Sequence, residues 1–103
     1  MPRRSESFDK YVAEQMQDLD YARETLVTTI EHFGESVEDA LRYTIEKMGI
    51  KEFSELSGIQ IQNISQFIKG KRKLKVETLD KYLSVFKLKS KIVVVQDEED
   101  DVA

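Results

Sequence analysis

The chain of 103 residues contains no cysteine. It therefore has no disulfide framework and no thiolate for a metal centre. Its one histidine, His32, has no second histidine or cysteine to make a ligand cluster with, and its place near a helix end predicts a capping or exposed role. The glycines number four and never group into a loop that would cradle phosphate. No Ser/His/Asp set accompanies them, so the sequence predicts no enzyme, no cofactor and no bound metal. No stretch approaches the ~18 consecutive apolar residues that span a bilayer, and no apolar run follows the arginines of "MPRRSESFDKY". A cytoplasmic protein without a membrane partner is expected.

What is present points to helices. Apolar residues make up 40% and charged residues 35% of the chain, a balance typical of a small helix-rich domain with one modest core. The net charge of −4 conceals a division. Residues 1–59 hold seven Lys/Arg against thirteen Asp/Glu, residues 60–91 hold nine against two, and residues 92–103 hold none against five. The middle third is thus strongly basic inside an acidic chain, the local balance expected of a nucleic-acid-binding surface.

Hydrophobic residues recur with helical spacing almost throughout. Ser7 is expected to cap a first helix with Phe8, Tyr11, Val12, Met16 and Leu19 on one stripe. Asp18 or Asp20 would cap a second, carrying Tyr21, Ala22, Thr25, Leu26, Ile30 and Phe33 inward and stopping at Gly34. The aromatic residues Phe8, Tyr11, Tyr21 and Phe33 are read as core. Ser36, Val37, Glu38 and Asp39 resemble a capping box, opening a third helix with Val37, Ala40, Leu41, Thr44, Ile45 and Met48 inward. Two short helices over 51–57 and 61–69 follow, and a sixth over 76–86 with Val76, Leu79, Leu83 and Phe86 inside. "KIVVV" at 91–95 is the one strand-like run, and the acidic residues 97–101 read as a solvated tail rather than a cation loop.

The stretch "SELSGIQIQNISQFIKGKRK" (54–73) concentrates the functional signals. Gly58 separates two short helices by about three residues, the spacing of a helix-turn-helix. With Ile64 at the buried centre of the second helix, steps of ~100° place Phe67 and Ile68 beside it. Gln62, Gln66 and Lys69 then face outward, flanked by Ile61, Asn63 and Ser65. Amide side chains offer a donor and an acceptor together, matching the adenine edge in the major groove. Lys69, Lys71, Arg72, Lys73 and Lys75 supply cations where phosphates would run.

These residues resemble the Cro/phage-repressor type of helix-turn-helix domain. "FSELSGIQIQNISQFIKGKRK" supplies Phe53, Ser54, Gly58, Ile59, Gln60, Ile64, Gly70, Lys71 and Arg72 at that family's recurring positions. "LRYTIEKMG" is similar to its first helix and "KVETLDKYLSVFKLK" to its fourth, so the resemblance spans residues 37–89. It implies that Gln62 and Gln66 contact bases, that Gln60 caps the recognition helix and reaches a phosphate, and that Ile61 and Asn63 contribute at its N-terminal end. Ser54 stands where alanine is usual, Ile68 where an acidic residue is common, and Ile61 where a polar residue is frequent. The segment "SFDKYVAEQMQDLDYARETLVTTIEH" also resembles the region preceding the DNA-binding domain in antidote proteins of bacterial addiction modules, through Tyr11, Asp18, Asp20, Tyr21, Ala22 and Leu26.

The resulting expectation is an all-α fold: an N-terminal helical extension (1–35), a helix-turn-helix domain (36–89), and a short strand with an acidic tail (90–103). The expected function is a transcriptional repressor binding a palindromic operator as a homodimer, with its strand paired across the dimer axis. It would double as the autoregulating antitoxin of a toxin. Two alternatives stand beside it: a protein that chiefly holds a partner, with DNA binding secondary or absent, and a helical protein whose glycine-joined helices bind nothing.

Overall fold

The computed structural model describes residues 4–70 and 73–97, with side chains from residue 8 onward. The described chain is all-α, with helices α1 (Arg4–Met16), α2 (Leu19–Glu31), α3 (Val37–Met48), α4 (Ile50–Ser57), α5 (Ile61–Ile68) and α6 (Val76–Ser84). α1 starts at Arg4, earlier than a cap at Ser7 would place it. Two other expected caps are present. The Asp18 carboxylate accepts from the backbone N–H groups of Asp20 and Tyr21, and the Ser36 hydroxyl accepts from Asp39 N–H. Each satisfies helix-start donors that have no partner within the helix.

α3 is the hub, packing against α1, α2, α4 and α5. Its inward stripe of Ala40, Leu41, Thr44, Ile45 and Met48 is fully buried, as the sequence predicts, with Val37 half-buried at its start. Met16, Ala22 and Leu26 from α1 and α2 join the same core as Phe53, Ile64, Phe67 and Phe86. Gln17, in the turn between α1 and α2, ties that corner to α3: its Nε2 donates to the carbonyls of Met48 (3.0 Å) and Ala13 (3.1 Å). Tyr82 joins α4, α5 and α6, stacking on Phe53 at 5.6 Å and meeting Phe67 edge-on at 5.1 Å between ring centroids. Burying such a ring is worth roughly 1.5–3 kcal/mol, with a further ~0.5–1.5 kcal/mol for the aromatic geometry.

Three expectations change. Phe8, Tyr11, Tyr21 and Phe33 are exposed rather than core. The helical period places them near the inward stripe, yet α1 and α2 lie at the edge of the bundle, where only one side of each finds a neighbour. Val76, at the first position of α6, is also exposed, and Tyr82 fills the interior in its place. α6 ends at Ser84 instead of continuing through Phe86. Lys87 adopts φ 59°, Lys87 N–H bonds the Ser84 carbonyl and Leu88 N–H bonds the Leu83 carbonyl. This is the paired 5→2 and 6→1 closure of a Schellman end, with lysine where glycine is usual. Residues 91–95 lie exposed and form no strand among the described residues. A strand exists only by pairing, and the sequence expectation places the partner of this run in a second copy.

Candidate nucleic-acid interface

The turn between α4 and α5 is built by three side-chain and backbone devices. Gly58 takes φ 74°, a left-handed conformation that costs glycine nothing, and its N–H closes α4 on the Ser54 carbonyl. The Ser54 hydroxyl donates to the Ile59 carbonyl at 2.5 Å and latches the turn. The Ser57 hydroxyl accepts from Ile59 N–H at 3.0 Å. Buried Ile59 then anchors the start of α5. Gln60 occupies the N-cap position through its backbone, with extended φ and ψ, but its side chain makes no capping bond. The expectation of a side-chain cap is corrected on that point, and the Gln60 amide extends into solvent instead.

On α5, Ile64 and Phe67 are fully buried while Gln62, Asn63, Gln66 and Lys69 are exposed. Ser65 and Ile68 lie half-buried on the flanks. Ile61 is 51% exposed at the helix start, an apolar side chain among amides with the chemistry to meet a thymine methyl. The face is therefore amide-rich along one side of a helix slender enough to enter a major groove. Lys73 is exposed beyond the helix. Lys71 and Arg72 lie outside the described residues.

A groove of about 400 Å³ runs between α5 and α6 and brings Asn63 together with Lys73, Lys75, Thr78 and Lys81. Lys73 and Lys75 belong to the expected basic loop. Thr78 and Lys81 were not singled out from sequence, although the spacing of three from Lys75 to Thr78 to Lys81 sets them along one side of α6. Three lysines and two neutral hydrogen-bonding groups lining one concave surface suit an anionic ligand such as a nucleic-acid backbone.

Arg42 of α3 seats the far end of α5. Its Nε donates to the Phe67 carbonyl at 2.8 Å, its guanidinium lies over the Phe67 ring, and its NH1 pairs with Asp39 at 2.7 Å. A cation thus meets a carbonyl at the helix C-terminus, where the dipole favours it. Asp80 on α6 is held below the ordinary aspartate range, first by the side-chain hydrogen bond from Ser90, then by the Ser90 backbone N–H at 2.7 Å and by nearby Lys89. That contact fixes where the C-terminal arm leaves the body. Among the described residues no three His, Cys, Asp or Glu side chains come together as metal ligands, and no helix is long and apolar enough to cross a membrane.

Comparison of the chain with protein-family models, curated proteins and solved structures finds no match.

Proposed function

We propose that the chain is a sequence-specific DNA-binding transcriptional regulator that acts as a repressor. The reading rests on one observation above all. A short helix buries Ile64 and Phe67 completely while turning Gln62, Asn63, Gln66 and Lys69 to solvent, beside a lysine-lined groove. Gln62 and Gln66 are assigned to base edges, with Ile61 and Asn63 at the helix start. Gln60, Lys69, Lys73 and, in the same loop, Lys71 and Arg72 are assigned to phosphates. Lys75, Thr78 and Lys81 extend the phosphate track onto α6.

The architecture proposed is a Cro-like helix-turn-helix over residues 36–89, preceded by a helical extension, working as a homodimer on a palindromic site. One recognition helix reads too few bases to select a site, and two-fold pairing sets a second one about 34 Å away. The test is a mobility shift on the DNA upstream of the protein's own gene, against random DNA of equal length, at several salt concentrations. Selective retardation supports the reading. Equal, weak retardation of both DNAs over all salts removes it.

A second reading has its own support. Phe8 and Tyr11 on α1 and Tyr21 on α2 are exposed aromatic rings, a residue type enriched at protein interfaces. Binding of a toxin there would make the protein an autoregulating antitoxin, with repression and neutralisation in one chain. A basic protein encoded beside the gene that co-purifies with this chain, and is lost on Tyr11→Ala, distinguishes the antitoxin from a repressor acting alone.

A further inference from the structure

Two exposed apolar surfaces of this chain are opposite in charge. The first is an open groove of about 560 Å³ between α2 and the first half of α3. Thr25, Thr29, Phe33 and Tyr43 line it, with Glu35 and Asp39 among its walls. The hydroxyls of Thr25 and Thr29 donate back to the carbonyls of Tyr21 and Thr25, at 3.0 and 2.7 Å. That leaves the methyl groups as the free surface. Phe33 is 73% exposed. No lysine or arginine lines the groove, and Asp39 pairs with Arg42 while Glu35 makes no ion pair among the described residues.

The second surface is the C-terminal arm. Ile92, Val93, Val94 and Val95 are 84%, 66%, 93% and 76% exposed, and Lys87, Lys89 and Lys91 lead into them. Four consecutive β-branched residues in water are the composition that pairs or aggregates unless covered. Because Ser90 is tied to Asp80, the arm leaves the body from a fixed point.

We propose that the arm at residues 91–95 of one copy seats in the α2–α3 groove of a second copy, and reciprocally, closing a two-fold dimer. The inference rests on the homodimer reading and specifies its contacts. Lys91 at the start of the arm meets the Glu35 carboxylate, Asp39 being already paired with Arg42. Valine side chains cover the Phe33 ring, the threonine methyls and the part of the Tyr43 ring that Lys47, 5.5 Å from its centroid, leaves open. The acidic residues that begin at Asp97 are repelled by the same carboxylates, which sets the direction of the arm.

Three alternatives fit less well. Two grooves pressed face to face would set Glu35 and Asp39 against their own copies, a like-charge contact. Two arms paired only with each other would form a two-stranded ribbon, which is marginal in water. An extended arm points Ile92 and Val94 to one side and Val93 and Val95 to the other, so such a ribbon would leave apolar faces uncovered. Folding of an arm onto its own groove is not what the chain does, since the arm is exposed. Reciprocal seating covers both surfaces and closes the assembly without a free edge.

The test uses the full-length protein. Sedimentation equilibrium of wild type, Phe33→Ala, Glu35→Lys and the double variant Glu35→Lys with Lys91→Glu reads the dimer directly. Phe33 and Glu35 are exposed, so circular dichroism should be unchanged throughout. The expected result is a dimer for wild type, a dissociation constant raised at least about tenfold in each single groove variant, and recovery of most of that loss in the charge-swapped double variant. Mixed-isotope NMR should show contacts between valine methyls of one copy and the Phe33 or Tyr43 ring of the other. A monomeric wild type overturns the proposal outright, and so do groove variants that dimerise as tightly as wild type, because the arm then pairs with its twin or the groove serves another protein. None of these measurements uses DNA, so this proposal and the DNA-binding reading stand or fall separately.

Discussion

The Arg42 guanidinium lies 4.7 Å from the centroid of the Phe67 ring and donates through Nε to the Phe67 carbonyl at 2.8 Å. One side chain of α3 thereby holds both the ring that anchors α5 in the core and the backbone at its C-terminal end. The carboxylates of Asp39 and Glu38, at 2.7 and 3.9 Å, orient the guanidinium from its own helix. Arg42→Met is expected to lose about 1–2 kcal/mol of stability in urea denaturation. Arg42→Lys keeps the charge but not the planar fork, and should lose nearly as much. If Arg42→Lys matches wild type, charge alone matters and the stacking does not.

Base reading and phosphate contact separate by their sequence dependence. Gln62→Ala or Gln66→Ala should weaken the operator complex by about 1–3 kcal/mol while leaving random DNA nearly unaffected. Fluorescence anisotropy on both DNAs checks this, and equal losses would take both glutamines out of base recognition.

Removing one phosphate-contacting cation should weaken all DNA alike and reduce the salt slope of binding by about one. Lys69, Lys73, Lys75 and Lys81 are the described candidates. An unchanged slope in Lys75→Ala and Lys81→Ala would show that the groove between α5 and α6 faces away from the nucleic acid.

Thr44 is fully buried, and its hydroxyl has no hydrogen-bond partner among the described residues. Leaving a hydroxyl unsatisfied costs about 1–3 kcal/mol. Thr44→Val, which replaces that hydroxyl by a methyl of similar size, is expected to raise stability by about 1 kcal/mol. Thermal denaturation followed by circular dichroism measures the shift, and a lower midpoint would indicate a bound water at that hydroxyl.

Acid should loosen the C-terminal arm. The Ser90 hydroxyl and N–H favour the ionised Asp80 carboxylate and hold its pKa below the ordinary value. A depressed folded pKa means that the contact contributes fully above the ordinary aspartate pKa of about 3.9. That contribution is lost as pH falls through the lower, folded value. The protection of the Ser90 amide, its exchange rate measured against the intrinsic rate at the same pH, should therefore fall below that range in wild type. In Asp80→Asn that protection should already be low at neutral pH.

Much of the local architecture is legible in the residues themselves. Asp18 and Ser36 cap helices by short-range hydrogen bonds, and Gly58 turns because a positive φ is free to glycine. The split of α5 into buried Ile64 and Phe67 against exposed Gln62 and Gln66 follows from helical periodicity alone. Such features depend on a few neighbouring residues, so the sequence suffices for them. Other features depended on which helix faces which. Phe8, Tyr11, Tyr21 and Phe33 carry the same hydrophobic signal as core residues, but α1 and α2 sit at the bundle edge and leave those rings in water. Tyr82 replaces Val76 inside because the rings of Phe53 and Phe67, distant in sequence, form the wall it packs against. The Arg42 clamp, the tie from Gln17 to Met48, and the groove that joins Asn63 to Lys81 likewise unite residues of different helices. Periodicity sets the face of a helix, whereas only tertiary packing decides whether that face meets a neighbour, a ligand or the solvent.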